Sequence, residues 1–306
     1  MTHIYDKAFL DSALVDAKDA KVSVMSSAVL YGLSVYSVFP VCMTKNGPAA
    51  FRLNNHFKRL IDSARIIGID TFEKEWTEKK FVEAVKKLIV ANKIKEDVFV
   101  RVTVHVSELL PGTRSRGLAT VVSMFAYEAA AILPHSGVRL KTSVWRRVPD
   151  YAIPSRAKVN GAYVNSVLGK QDALDSGYDD CIFLDAAGHV CELSAANIFI
   201  VRDGILITPN TSSDILEGIT RRTVIELARD MNIPVVERTI DLTELYIADE
   251  VFASGTSSFV TAIEEVDKRI IANGEIGPIT ASLQTKYHDV LHGADPHYAH
   301  LLTVLK

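Results

Sequence analysis

The sequence predicts an α+β protein built from two domains. Its 306 residues are enough for two domains of ordinary size, and 48% of them are hydrophobic, so it can bury a sizeable core. Strand-like and helix-like stretches follow one another without the strict alternation of a parallel α/β sheet. Pro134 and Gly137 punctuate a connector. We therefore expect domains over residues 1–127 and 138–306, joined by residues 128–137.

The first expected element is an uncharged stretch over residues 22–44. It is long enough for a membrane span. However, it contains five serines and Pro40 and is rich in valine, and these residues favour buried strands joined by a turn at Gly32. We therefore expect strands here and no membrane segment.

Two amphipathic helices and two strands complete the first domain. The first helix has an apolar stripe that includes Phe57 and Leu60, can be capped by Asn54 or Asn55, and runs to about residue 67. Arg59 lies on the face away from that stripe. A second helix is expected over residues 78–91, and valine-rich strands are expected over residues 98–106 and 119–125.

The second domain reads as short strands interrupted by helices. A helix lined by Tyr163, Val167, Gln171 and Leu174 should end at Gly177. Further helices are expected over residues 219–231 and 279–291. The expected strands cover residues 138–145, 181–185, 189–192, 197–201 and 205–208, the last two joined by a hairpin turn.

Composition and motifs exclude several functional classes. The net charge of −3 and the pI of about 6.3 do not indicate a nucleic-acid-binding protein. No dinucleotide fingerprint, P-loop or nucleophile elbow is present. The nine histidines show no metal-ligand spacing, so no metal is expected. Three cysteines without a CxxC pair, and an N-terminus without a signal peptide, indicate buried thiols in a cytoplasmic protein.

Two features indicate an anion-binding site. A helix starts at Gly218, and the free N–H groups of Ile219 and Thr220 can bind a phosphate there; the alternative is that Arg222 simply pairs with Glu226. The turn that begins at Ser254 and contains Thr256 and Ser257 offers hydroxyl and N–H groups to an anion, or is a plain turn.

Two charged residues have ambiguous surroundings. Lys158 follows a proline-containing loop at the expected start of a helix, where most lysines are exposed and have no function. Glu192 ends an apolar strand, so its carboxylate needs a partner if it is buried. That partner can be a protonated pyridine nitrogen or a nearby arginine, unless the group is exposed.

Taken together, these segments resemble the fold-type IV enzymes that use pyridoxal 5′-phosphate (PLP), and specifically the branched-chain amino acid aminotransferases. The matching segments are YGLSVY at 31–36, FRLNNHFKRLIDSA at 51–64, IPSRAKVNGAYVNSVL at 153–168, GYDDCIFLDAAGHVCELSAANIFIV at 177–201, LEGITRRTVIELA at 216–228 and ADEVFASGTSS at 248–258. The resemblance implies a small α/β N-terminal domain, a larger C-terminal pseudo-barrel domain and a homodimer or higher homo-oligomer.

The resemblance also implies roles for individual residues. Lys158 carries PLP as a Schiff base and moves the proton of the substrate, and Glu192 pairs with the pyridine nitrogen. Tyr163 bonds the ring oxygen and Leu216 packs on the ring. The implied phosphate ligands are Arg59, Ile219, Thr220 and Thr256. The reaction is a ping-pong transfer of nitrogen from a branched-chain L-amino acid to a 2-oxo acid such as 2-oxoglutarate.

The expected substrate-binding residues are Tyr36, Phe99, Arg101, Thr256 and Ser257, and the chain departs from the family's pattern at Tyr36, Phe99 and Ser257. Tyr36-Ser37-Val38 replaces Phe-Glu-Gly, and Phe99 replaces the tyrosine that helps to hold a substrate carboxylate. Arg101 is retained and either binds that carboxylate or forms a structural salt bridge. We expect these changes to affect the substrate side and to leave the cofactor side intact. A D-amino-acid or (R)-amine aminotransferase is therefore the alternative, followed by an aminodeoxychorismate lyase and a non-catalytic relative.

Overall fold

The structure of the chain, a computed structural model, describes residues 2–134 and 137–306. Residues 135 and 136 of the expected connector lie outside the described residues. The chain divides into two compact units, the first comprising Met1–Ala130, Ala157–Ala162 and Val290–Lys306, and the second Ala131–Arg156 and Tyr163–Asp289. This division differs from the expected one because the segment around Lys158 and the residues from 290 onward join the first unit.

The first unit is built on a seven-stranded antiparallel sheet. Its strands are β1 (Ile4–Leu10), β2 (Ala13–Asp16), β3 (Ser34–Thr44), β4 (Gly47–Phe51), β5 (Val98–Val106), β6 (Thr120–Glu128) and β16 (Leu302–Val304), in the spatial order β16-β4-β3-β5-β6-β1-β2. Its helices are α1 (Ser27–Leu30), α2 (Leu53–Ile66), α3 (Asp70–Glu75) and α4 (Glu78–Ala91).

The alternation of side chains along β5 separates the core of the first unit from its polar face. Val100, Val102 and Val104 lie in the apolar core, together with Leu60 and Phe81 of helices α2 and α4. Because successive side chains of a strand point to opposite faces, the residues between these valines lie on the other side of the sheet. That side carries the substrate-binding residues expected on β5.

The second unit is a mixed sheet with its own helices. Its strands are β7 (Val138–Arg146), β8 (Asp180–Leu184), β9 (Val190–Leu193), β10 (Asn197–Arg202), β11 (Ile205–Thr208), β12 (Val235–Glu237), β13 (Glu250–Gly255), β14 (Phe259–Val266) and β15 (Arg269–Ile270). Its helices are α5 (Tyr163–Asp175), α6 (Ile219–Asp230), α7 (Leu242–Leu245) and most of α8 (Pro278–Leu291).

A single residue pair closes this sheet into a pseudo-barrel. The strands run in the order β12-β11-β10-β13-β14-β7-β8-β9, and β9 also pairs with β10 through Glu192 and Asn197. Strands β10, β13, β14, β7, β8 and β9 therefore form a ring. The predicted α+β fold with a C-terminal pseudo-barrel is confirmed.

Two predictions about the first unit are wrong. The uncharged stretch over residues 22–44 holds a short helix, α1, before β3, instead of two strands. Helix α2 is not capped by Asn54 or Asn55, because Arg52 occupies the N-cap position in the left-handed region, with φ 47°, and makes no side-chain cap bond. By contrast, the predicted bounds of α4 and β5 are confirmed.

The four residues expected to line α5 do not form its buried face. Val167 and Leu174 are exposed, whereas Ser166, Gly169 and Ala173 are buried. The buried residues are small because the helix lies close to β8: a Cβ added at Gly169 would collide with the ring of Phe183. The packing of this helix is therefore determined by steric fit between α5 and β8.

No helix within residues 2–134 and 137–306 combines the length and the apolar character that a bilayer span requires.

Candidate active site

Lys158 is held in place by backbone contacts within the first unit. Its N–H donates to Ser63 Oγ at 3.0 Å, and its carbonyl oxygen accepts a hydrogen bond from the Tyr36 N–H at 3.0 Å. The segment passes so near Gly32, whose φ is +66°, that a Cβ there would lie 2.9 Å from Gly161 Cα. Lys158 is thus anchored beside β3 and is not the first residue of a helix.

The side chain of Lys158 lies next to two of the expected substrate-binding residues. Its Nζ is 4.9 Å from the centroid of the Tyr36 ring, and Cζ of Arg101 is 3.8 Å from the same centroid. Arg101 also donates to Asn160 Oδ1 at 2.7 Å. A cation over an aromatic ring is attracted by the ring's quadrupole. Tyr36, Arg101 and Lys158 therefore form one cluster, with two cationic groups around one ring.

Phe99 lies two residues before Arg101 on β5 and on the same face of the sheet. It is buried, and its ring centroid is 5.8 Å from that of Tyr127. Since Phe99 pairs with Tyr127 across the sheet, this contact is a cross-strand aromatic pair. Phe99 thus lies on the predicted face, where it packs against Tyr127.

Arg59 of α2 contacts strand β3 through Ser37. One of its terminal nitrogens, Nη2, donates to Ser37 Oγ at 3.1 Å. Arg59 is only half-buried, but it lies at the edge of the buried face of α2 and not opposite the apolar stripe as expected. Ser37 is one of the family departures. That departure therefore lies beside an expected phosphate ligand as well as on the strand that carries Tyr36.

Glu192 is a buried carboxylate with several partners in the second unit. Its Oε1 lies 2.7 Å from Nη2 of Arg147. Its Oε2 accepts hydrogen bonds from Asn197 Nδ2 at 2.9 Å and from the Leu216 N–H at 3.1 Å. Of the partners considered for Glu192, a nearby arginine is thus present in the structure. These donors stabilise the negative charge of a group that is only 5% exposed.

The start of α6 is fastened to Glu192 through Asn197. Asn197 Nδ2 donates to the Leu216 carbonyl oxygen at 2.9 Å as well as to Glu192. Gly218 is the N-cap residue, makes no side-chain cap bond, and lies so close to Asn197 Oδ1 that a Cβ would collide with it. A helix N-terminus without a side-chain cap attracts anions through its N–H groups and its dipole. The structure therefore brings a buried carboxylate and an anion-attracting helix start together in one unit.

The turn after β13 lies at the same end of the sheet. Asn197 pairs with Glu192 on one side and with Ser254 on the other, so these three residues form a row across three strands. The turn at Thr256 and Ser257 follows directly, and both residues are half-buried. The hydroxyls of Ser254 and Ser258 are buried without a hydrogen-bond partner among the described residues. Buried hydroxyls without a partner beside this turn are able to bond a polar group of a ligand.

Comparison with known proteins identifies the family. A sequence model of the family "Amino-transferase class IV" matches residues 37–266. The chain belongs to the class IV aminotransferases. A probable branched-chain-amino-acid aminotransferase of Aquifex aeolicus is 38% identical over 302 residues, which cover 97% of this chain and 96% of the relative.

Two solved structures are similar to this class IV aminotransferase over almost its full length. The branched-chain aminotransferase of Thermoproteus uzoniensis, solved with norvaline, has a TM-score of 0.93 and 37% identity and covers 99% of this chain and 100% of its own. The branched-chain amino acid aminotransferase of Thermobaculum terrenum, solved in its PLP form, has a TM-score of 0.92 and 30% identity, with 99% of both chains covered.

The remaining expected cofactor residues of this aminotransferase lie at element ends in the second unit. Tyr163 is the first residue of α5, and Leu216 precedes α6; both are half-buried. Ile219 and Thr220 form the first turn of α6, and Thr220 Oγ1 lies 3.3 Å from the Tyr287 hydroxyl. Leu216, Ile219 and Thr220 therefore lie with Glu192 in one group.

Sequence reasoning missed the supporting residues of the aminotransferase. Arg147 and Asn197 hold Glu192, and His56 lies behind Arg59, with Nδ1 2.8 Å from Ser37 Oγ. Asn197 could have been found from the β9–β10 register, since it pairs with Glu192 once the turn at residues 194–196 is recognised. No local signal points to Arg147, because its contact depends on the folded barrel.

Three residues of ligand type also converge near the C-terminal end of β3. Cys42, Asp97 and His292 place one sulfur, oxygen or nitrogen atom each within 4.8 Å of one another. Both Asp97 oxygens are used, Oδ1 by the Met43 N–H at 2.7 Å and Oδ2 by His292 Nε2 at 2.8 Å. Burial raises the pKa of the Cys42 thiol to about 12. The cluster is satisfied by its own hydrogen bonds, and we assign no metal to it.

Proposed function

We propose that this chain is a PLP-dependent aminotransferase that transfers nitrogen from branched-chain L-amino acids to a 2-oxo acid such as 2-oxoglutarate. Family membership and relatives named for branched-chain amino acids over nearly the full chain support the proposal. The observation that carries it is the buried Glu192 beside the start of α6, since a carboxylate and an anion site together suit a phosphorylated pyridine.

The residues present fit this cofactor. Glu192 would pair with the pyridine nitrogen, and Lys158 would hold PLP covalently. Tyr163 would bond the ring oxygen and Leu216 would pack on the ring. The residues that would hold the phosphate are Arg59, Ile219, Thr220 and Thr256. When bound, the group supplies an electron sink for the charge left on the substrate Cα after proton loss.

Lys158 performs the proton transfer in this proposal. Its Nζ would take the proton from the substrate Cα and hold it for the return step of the transfer. The backbone bonds of Lys158 to Ser63 and Tyr36 limit the positions that the amine can reach. Fixed positioning of a base contributes to rate because the reacting atoms need little further alignment.

The carboxylate of Glu192 has three partners in its own unit. Arg147, Asn197 and the Leu216 N–H all stabilise the carboxylate anion. A charged carboxylate would favour the protonated form of a pyridine nitrogen bound beside it, by electrostatic attraction. Arg147 and Asn197 would thus stabilise the charged carboxylate that pairs with the ring nitrogen.

The substrate side is proposed to use the cluster around Tyr36. Arg101 and Lys158 flank this ring, and Arg101 would attract a substrate carboxylate. Thr256 and Ser257 would contribute further polar contacts, and the buried Phe99 an apolar wall. The Tyr36-Ser37-Val38 departure keeps D-amino acids and (R)-amines as the alternative donors to be tested.

The decisive experiment is an absorbance spectrum of the purified protein with PLP, before and after addition of single donors. L-Leucine or L-isoleucine should convert the visible lysine-bound form to the pyridoxamine form. Conversion only by D-alanine or (R)-1-phenylethylamine would contradict the substrate assignment, and the absence of a visible band would contradict the cofactor. Pyruvate release without a keto-acid acceptor would indicate the lyase.

Two variants accompany this experiment. Lys158→Ala should lose the visible band and all turnover, because no other group replaces its amine. Lys87→Ala, at an exposed position of α4, serves as the matched lysine control and should behave like wild type. Turnover by the Lys158→Ala protein would disprove the mechanism.

We also propose that the chain forms a homodimer. Large apolar side chains of the second unit are exposed in the single chain, among them Val144, Trp145, Tyr151 and Val164. Exposed apolar surface of this kind is typical of an interaction site. Light scattering after gel filtration should give twice the 33.6 kDa of one chain. A mass of one chain at micromolar concentration would contradict the proposal.

A further inference from the structure

His56, Ser37 and Arg59 form a chain of hydrogen bonds inside the first unit. Ser37 lies on β3 and is fully buried, while His56 and Arg59 lie one turn apart on α2. The Ser37 hydroxyl oxygen is 2.8 Å from His56 Nδ1 and accepts a hydrogen bond from Arg59 Nη2 at 3.1 Å. Arg59 is one of the proposed phosphate ligands. Its guanidinium group is therefore held by the hydrogen bond to Ser37.

The chemistry of the three groups sets the direction of this chain. A guanidinium has only donors, so Arg59 cannot accept the Ser37 proton. Ser37 is 0% exposed, and a buried hydroxyl proton without an acceptor is costly. His56 Nδ1 is the acceptor within reach. His56 therefore carries its proton on Nε2, and the lone pairs of Ser37 are left for Arg59.

His56 must stay neutral for this arrangement, because a protonated ring has donors on both nitrogens. Burial, followed by the positive charges of Arg59, Lys158 and Arg52, holds the pKa of His56 well below its usual value. Strand β3 places Phe39, which has no charge, against the ring, with centroids 5.4 Å apart. The groups that face His56 are thus cationic or neutral, and the neutral ring is favoured.

We propose that His56 and Ser37 are positioning residues that orient Arg59 toward the phosphate of the cofactor. This inference rests on the proposed function, which assigns Arg59 to the phosphate. It gives a role to Ser37, where the family has a glutamate. A neutral hydroxyl leaves the positive charge of Arg59 available to the phosphate, whereas a carboxylate would compensate part of it.

The test compares PLP with pyridoxal, which lacks the phosphate. Ser37→Ala should weaken PLP binding about tenfold, because a hydrogen bond to a charged group is lost, and should leave pyridoxal binding unchanged. His56→Leu should give the same selective loss. His56→Asn and Ser37→Thr should retain the PLP affinity of the wild type. In the asparagine variant, Oδ1 can take the place of Nδ1 as the hydrogen-bond acceptor. Ser26→Ala, which removes another buried serine hydroxyl of the first unit, is the matched control.

Each outcome separates the inference from the proposed function. If wild-type protein binds no PLP, the proposed function fails. If wild type binds PLP but Ser37→Ala loses PLP and pyridoxal affinity equally, or neither, the positioning role fails alone. Nitrogen-15 spectra of histidine in the cofactor-free protein give a second readout. Neutral His56 with its proton on Nε2 at pH 6 is expected, and a proton on Nδ1 would overturn the inference.

Discussion

The carboxylate of Glu192 and the guanidinium of Arg147 depend on each other. Both side chains are largely buried, with 7% and 14% of their surface exposed, and their nearest atoms are 2.7 Å apart. Taking two charges out of water is costly, so the pair is weak evidence for net stability. Removing one partner leaves the other charge buried and uncompensated. This asymmetry makes the pair sensitive to mutation.

Glu192→Ala should destabilise the protein by about 3–5 kcal/mol, because Arg147 loses its partner. Glu192→Gln should cost less, since its amide oxygen can still accept from Asn197 or Leu216. Both variants should lose most transaminase turnover through the missing charge. Urea unfolding of the cofactor-free proteins gives the free energies. If Glu192→Ala lowers the free energy of unfolding by less than about 1 kcal/mol, the charge of Arg147 does not depend on Glu192 as described.

His105 on β5 makes the stability of the fold depend on pH. Burial, followed by the positive charge of Arg101, lowers its pKa from 6.5 to about 4. Between these values the unfolded chain binds one proton more than the folded chain. His105 should therefore lower the free energy of unfolding by about 1.4 kcal/mol per pH unit as the pH drops from 6.5 toward 4, in addition to the contribution of His56, whose pKa is also lowered. His105→Gln should show a correspondingly smaller slope in urea unfolding between these pH values, and equal slopes would contradict the assignment.

At the residue scale, the expected site residues could be identified from the sequence, but the residues that hold them in place could not. Lys158, Glu192 and Arg59 could be singled out because the family resemblance places them in recognisable segments. Arg147, Asn197 and His56 could not, because their roles follow from contacts between distant parts of the chain. The sequence alone places the Ser37 departure with the substrate-binding residues, because only the fold reveals that Ser37 also contacts α2.

At the scale of single elements, helix α5 is constrained by the strand beneath it. The small residues Ser166, Gly169 and Ala173 form its buried face. A Cβ at Gly169 would meet Phe183 and lie 2.9 Å from Cys181 Sγ. The helix therefore approaches β8 more closely than a larger side chain would allow.

Gly169→Ala should destabilise the protein by about 1–3 kcal/mol through overpacking, although alanine is the better helix former by about 1 kcal/mol. Adding Phe183→Leu should recover part of the loss, since it frees space above the helix. Thermal unfolding of the single and double variants measures both effects. A Gly169→Ala protein more stable than wild type would mean that α5 can move away from β8 at no cost.

Elements with strong periodicity were predictable, and elements that depend on partners were not. Helix α4 and strand β5 have the expected bounds, because their apolar patterns are long and regular. Helix α1 is too short for periodicity to identify it, and β16 exists as a strand only because it pairs with β4. The buried face of α5 followed steric fit, which a hydrophobic pattern does not encode.

At the scale of the whole molecule, the first unit is assembled from three separate stretches of chain. The segment from residue 290 onward supplies its edge strand, β16, and Leu305 is buried in its core. The Leu305 N–H donates to the Pro48 carbonyl oxygen at 2.9 Å. Sequence patterns assigned this segment to the second domain, because its three-residue strand carries no signal of its partner.

Leu305→Ala should lower the free energy of unfolding by about 2–5 kcal/mol, as expected for a buried large-to-small substitution. Val304→Ala, one residue earlier and 44% exposed, is the matched control and should change stability by less than about 0.5 kcal/mol. Urea unfolding followed by tryptophan fluorescence reports on the first unit through Trp76. Equal effects of the two variants would contradict the packing of Leu305.

The order of these three stretches has a consequence for synthesis on the ribosome. Strand β4 is complete early in translation, but its partner β16 emerges only after all residues of the second unit. During that interval the nascent first unit presents the unpaired edge of β4, and a strand edge of this kind can pair with other chains. The segment with Lys158 also arrives late, when Val159 reaches Val35. The enzyme therefore acquires its proposed catalytic lysine and its protective edge strand only after the edge of β4 has been left unpaired during translation.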